Sequence, residues 1–168
     1  QSIGVDLEAG YRTLSAADSA QAIFGSSSGF TWGGSAQYAF KMGLFVRAGG
    51  RSFSKSGERG FLADASSTPY PLGFPLEMSL TSFDLLAGWR FRLGDRKPSR
   101  FVPYAAVGLE LASYKEESTV AGLVETSDAS KTGFQAVGGL EYGITEGFSL
   151  AAEVGYSSVP SALGVGGV

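Results

Sequence analysis

From Ile3 onward the chain keeps returning to a period of two in which one face is apolar and entirely free of charge. Successive side chains of a β-strand point to opposite faces, so this period marks strands rather than helices. Ile3, Val5, Leu7, Ala9 and Tyr11 oppose Gly4, Asp6, Glu8, Gly10 and Arg12. The same rule sets Phe30, Trp32, Gly34, Ala36, Tyr38 and Phe40 against Thr31, Gly33, Ser35, Gln37 and Ala39. Five further segments follow it, near residues 44–51, 82–91, 103–112, 133–142 and 148–156. The chain therefore predicts an all-β fold with seven recognisable strands.

The charged residues of these segments gather on the second face: Asp6, Glu8, Arg12, Arg47, Arg51, Asp84, Arg90, Glu110, Glu141 and Glu153. A soluble sandwich or carrier barrel keeps its apolar face inside and covers its outside with polar residues. Here the polar face is rich in glycine and carries both signs of charge, which suits a narrow barrel interior where acids and arginines neutralise one another. The apolar face then meets lipid. Phe45 and Leu86 fall on the polar side and depart from the rule.

Connections between the segments alternate in length. Brief turns are expected near Lys41 to Gly43, Leu93 to Arg100 and Gly143 to Gly147, and long loops at 14–28, 54–76 and 114–131. Short connections at one end and long ones at the other are the pattern of an antiparallel up-and-down transmembrane barrel. Two aromatic girdles follow. Tyr38, Phe40, Trp89, Phe91, Tyr142 and Phe148 fall at the short-turn rim, and Tyr11, Phe30, Trp32, Phe83, Phe134 and Tyr156 at the long-loop rim. Single-chain bacterial barrels have even strand numbers, because an unpaired edge in lipid leaves backbone groups unsatisfied. Residues 1–168 are thus read as a single barrel domain of eight strands whose closing strand is absent from this chain. Alternatives are a short closing strand at 161–168 or a strand from a partner.

Composition removes several functions. Without histidine or cysteine there is no Ser-His-Asp or Cys-His arrangement, no disulfide and no thiolate or imidazole metal site. No enzyme activity and no cofactor is expected, and the lumen charges are read as a structural network rather than a catalytic one. A net charge of −3 with scattered Lys and Arg gives no basic patch for nucleic acid. No apolar run approaches the roughly 20 residues of a membrane-spanning helix. The strand pattern begins almost at Gln1, as at a mature terminus left by signal-peptide removal.

Three stretches carry a likeness to a known group: Val102-Pro103-Tyr104 ahead of Gly108, Gly138-Gly139-Leu140-Glu141-Tyr142, and Leu150-Ala151-Ala152-Glu153-Val154-Gly155-Tyr156. With the strand pattern they make the chain resemble the small eight-stranded bacterial outer-membrane barrels, the OmpA transmembrane domain, OmpX and opacity-type proteins. The resemblance implies a side-chain-filled lumen in an envelope anchor, adhesin or assembly component. Lipid A deacylases resemble this scaffold but use a histidine with a serine, and this chain has no histidine.

Specificity is expected in the long loops. The stretch holding Phe61, Tyr70, Leu72 and Phe74 is too apolar for a solvated loop, which suggests either a contact surface or a segment folded over the barrel mouth. The expected partners are membrane lipid, lipopolysaccharide and another envelope protein. Two alternatives stand beside this reading: a small channel, from the charged lumen, and a soluble carrier of a hydrophobic ligand.

Overall fold

A computed structural model describes residues 1–14, 17–61, 70–91, 101–120, 123–145 and 147–159. Strands β1 (Ser2–Thr13), β2 (Ser28–Ala39), β3 (Leu44–Phe61), β4 (Tyr70–Arg90), β5 (Phe101–Val120), β6 (Leu123–Gly143) and β7 (Ser149–Ser158) form one sheet in chain order. Each pairs antiparallel with the next, and one short helix, α1 (Ala17–Phe24), joins β1 to β2. The sheet curls far enough for Arg12 on β1 to reach Glu110 on β5, and for Arg47 on β3 to reach Glu153 on β7. It is a curled, up-and-down meander, with β1 and β7 as its two edges.

The two faces sort as the alternation requires. Ile3, Val5 and Leu7 are 79%, 79% and 95% exposed, and Leu85, Val107, Leu109, Leu150 and Val154 also point outward. A water-soluble fold would bury such residues; a lipid-facing wall presents them. Among the inner-face residues Arg47, Asp84 and Glu110 are buried. Phe45 and Leu86, the two exceptions to the alternation, are also inside and almost fully buried, where they pack with Tyr104, Ala106 and Val137 into an apolar layer.

The connections differ from the sequence reading. The turn 40–44 is tight, closed by Phe40 N–H to the Leu44 carbonyl at 2.8 Å. The expected loops at 54–76 and 114–131 are instead continuations of the strands. β3 pairs with β4 from Leu44↔Trp89 to Phe61↔Tyr70, and β5 with β6 from Phe101↔Tyr142 to Val120↔Leu123. Their neighbours stop sooner: β2 reaches only Phe53 on β3, and β7 only Phe134 on β6. Two hairpins therefore project beyond the barrel wall. Alternation persists in them with its polarity reversed. Leu76, Met78, Leu80, Ala112 and Tyr114 are buried inside, while Ser54, Ser56, Glu77, Ser113 and Lys115 face outward. A search for apolar-outward strands reads that inversion as loop. The expected loop at 14–28 holds α1, which packs on β3 and β4. The turn expected at 93–100 and the short closing strand considered at 161–168 lie outside the described residues.

Candidate functional site

All ten charged residues expected in the lumen lie on the inner face, carried by β1, β3, β4, β5, β6 and β7. Strand pleat puts them there, since each keeps the parity of its neighbours two residues away. Arg47 grips Glu153 with two contacts, at 2.6 and 3.1 Å. Arg51 serves three carboxylates: Nε donates to Glu8 at 2.7 Å, and its two amino groups meet Asp84 at 3.1 Å and Glu153 at 3.3 Å. Arg12 bonds Glu110 at 3.1 Å, and Arg90 reaches Glu141 at 3.0 Å. Asp84 meets Arg51 without the alignment of a hydrogen bond, leaving its buried oxygens held by charge alone.

Polar neighbours that the charge pattern did not single out complete the network. Ser35 bridges Glu8 and Asp6, Gln37 links Asp6 to Arg90, the Tyr104 hydroxyl donates to Glu153, and Ser157 donates to Glu110. They share strand parity with the charges, and that parity is the signal that finds them. Gly139 makes room for the Tyr104 ring: a Cβ there would lie 2.5 Å from the ring's Cζ and hydroxyl oxygen.

This charged layer is capped by apolar ones. On β3 Arg47 and Arg51 lie between Phe45 and Phe53; on β4 Asp84 lies between Leu86 and Leu80; on β5 Glu110 lies between Ala106 and Ala112. At the short-turn end Phe45, Leu86, Tyr104, Ala106 and Val137 fill the interior, with Arg90 stacked 5.3 Å from the Phe45 ring centre. At the other end Leu14, Ala20, Phe53, Met78, Leu80, Ala112 and Tyr114 form a second cluster, against which Phe24 of α1 packs. Burial and the adjacent Glu116 carboxylate push the Tyr114 phenol above its usual range.

The aromatic residues expected in girdles point outward. Tyr11, Phe30, Trp32, Phe83, Phe134 and Tyr156 occupy the long-hairpin rim, with Tyr11 and Phe30 edge to face across β1 and β2 at 6.2 Å. Tyr38, Phe40, Trp89, Phe91 and Phe148 occupy the other rim, where Tyr142 is half-buried beside Phe101 at 4.8 Å. From Phe83 to Phe91 is about 26 Å of strand, which a tilt of about 40° turns into roughly 20 Å of membrane normal.

The apolar stretch of the second expected loop is dispersed. Phe61 and Tyr70 pair as the last described rung of the β3–β4 hairpin, and their side chains lie outside the described residues. Leu72 is exposed and Phe74 half-buried, beside an irregularity where the register shifts between Glu58 and Gly60. The hairpin surfaces are acidic: Glu58, Glu77, Glu117 and Asp128 face outward. Lys115 stands among them and is held by Glu117 at 2.5 Å, which raises the lysine pKa. Among the described residues no group of three or more acidic side chains has a metal-holding geometry.

A search of curated proteins found no match. Among solved structures, the chain is similar to Ail, the attachment invasion locus protein of Yersinia pestis, solved in complex with the heparin analogue sucrose octasulfate. That likeness has 16% identity and a TM-score of 0.49, covering 94% of this chain and 85% of that one. The family described as outer membrane protein beta-barrel domain matches residues 2–165. The match spans nearly the whole chain and meets a charge-free outer wall, two aromatic girdles and a polar lumen, so the chain is a transmembrane protein of the outer membrane and belongs to the outer membrane protein beta-barrel family.

Proposed function

We propose that the chain is an interaction protein of the envelope, in which a barrel wall holds membrane lipid and lipopolysaccharide acyl chains and two hairpins meet a basic surface of another envelope protein. The observation that carries this reading is the acidic outer face of the hairpins, Glu58, Glu77, Glu117 and Asp128 around a lysine already engaged by Glu117. Like charges this close favour a cationic partner and disfavour bare lipopolysaccharide phosphate. Glu77 stands directly opposite Glu117 across β4 and β5, an arrangement that costs stability in isolation and is relieved by a bound cation.

The lumen supports an anchoring role in preference to transport, because apolar layers lie above and below Arg47, Arg51, Asp84 and Glu110. A carrier of hydrophobic ligands would need an apolar cavity, whereas the inner face here is charged. We read residues 1–168 as one barrel domain that an eighth strand completes. β1 and β7 run in the same direction, so a single strand antiparallel to both closes the sheet without a parallel pairing.

Photo-crosslinking residues placed at Glu117, Asp128 and, as a lipid-facing control, Val46 test the reading in intact cells. A protein adduct is expected from the two hairpin positions, weakened by high salt, with lipid adducts alone from position 46. Lipid or lipopolysaccharide adducts alone at positions 117 and 128 would remove the hairpins as the contact surface.

A further inference from the structure

The lumen network described above holds six carboxylates, Asp6, Glu8, Asp84, Glu110, Glu141 and Glu153, against four guanidiniums, Arg12, Arg47, Arg51 and Arg90, while Lys55 above it is spent on the Ser26 and Ser28 carbonyls. All four arginines are engaged, and Arg51 is already divided among three acids. Asp6 alone of the six makes no ion pair among the described residues, and Arg47 acts on it only from a distance. Its carboxylate accepts only from neutral donors, Ser35 at 3.3 Å and Gln37 at 3.0 Å. It sits on β1, an edge strand, and lines a cavity of about 1130 Å³ that opens between β1 and β7, with Glu8, Glu110, Glu141 and Glu153 also on its wall.

The seam leaves these acids uncovered on one side. A strand that closes it shuts them into a narrow lumen, and an uncompensated carboxylate in a dehydrated lumen is strongly unfavourable unless a cation or proton arrives with the closure. We propose that the strand filling the seam between β1 and β7 is basic on its inner face and sets at least one lysine or arginine against Asp6. Its outward positions are apolar, continuous with Ile3, Val5 and Leu7 on one edge and Val154 on the other. The stretch 160–168 contains no charged residue and does not supply this cation. The inference rests on the barrel reading above and adds the chemistry of the closing element to it.

Three twelve-residue peptides test it, each with Leu, Val and Tyr at alternate positions and with Lys, Gln or Glu among Gly and Ser at the others. They are titrated, fluorescently labelled, into the chain refolded in detergent micelles, whose β-rich circular dichroism and heat-dependent mobility report separately on the barrel reading. The Lys peptide should bind at least about ten-fold more tightly than the Gln peptide, with the Glu peptide weakest. Asp6→Asn should reduce the Lys-over-Gln preference to about two-fold or less. Equal binding of the Lys and Gln peptides overturns the proposal, as does a preference that survives Asp6→Asn. Uptake of no peptide, or a seam filled by a second copy and detected as a crosslinked dimer, overturns it too, and a β-rich, heat-shifted chain in those cases leaves the barrel reading standing.

Discussion

A guanidinium presents five donors in a rigid fork, and Arg51 uses that geometry to hold Glu8, Asp84 and Glu153 from three directions. Removing it leaves three carboxylates in close company, of which Asp84 is fully buried and has no hydrogen bond to replace the lost charge. Breaking a buried ion pair from one side typically costs about 3–5 kcal/mol. Arg51 is itself 18% exposed, which brings the expectation for Arg51→Met down to about 2–3 kcal/mol. Arg51→Lys restores the charge but not the fork, and is expected to recover less than half of that loss. Urea unfolding of the chain in detergent, followed by tryptophan fluorescence, measures both variants. A Lys variant as stable as the parent would mean that charge alone holds the three acids.

Projecting hairpins and helix α1 belong to one structural unit at the element scale. The two meet where α1 crosses β3: a Cβ at Gly57 would lie 2.4 Å from the Ile23 carbonyl oxygen and 2.6 Å from the Phe24 ring. Gly57→Val is therefore expected to lift α1 from the hairpin and expose Met78, Leu80 and Tyr114. Protease cleavage between β1 and β2 should then accelerate by about ten-fold or more while heat-dependent mobility persists, since α1 lies above the girdles. An unchanged cleavage rate would place the docking of α1 elsewhere. These elements also mark where sequence reading stopped. Seven strands were legible because their apolar faces look at lipid and their charges at the lumen. Above the membrane the outside becomes water and the inside becomes an apolar cap, so Met78 and Leu80 point the opposite way from Leu85. The pattern inverts without breaking, and a rule tuned to lipid mistakes strand for loop. Helix α1 has only eight residues and no sustained apolar period, too little for periodicity to detect.

Charged layer and apolar caps together decide what the whole molecule does with its interior. The ten lumen charges were legible from strand parity, but their layering was not. Phe45 and Leu86 appeared in the sequence as isolated departures, and only the curl of the sheet brings them together with Tyr104 and Val137. Once the seam between β1 and β7 is closed, an ion moving along the axis must cross that layer and then the one formed by Phe53, Met78, Leu80 and Tyr114. Narrow apolar constrictions dewet and oppose conduction even when polar groups lie on either side. Two barriers in series also predict how variants combine. Planar-bilayer recordings of the parent barrel, closed by its eighth strand, should stay at baseline, and Phe45→Ala or Phe53→Ala alone should stay there as well, because one apolar layer survives in each. Only the double variant should show discrete steps. Conductance from the parent would restore the channel reading, whereas conductance from a single variant would mean that one layer does the sealing and that the other serves only to hold the hairpins or the short-turn rim in place.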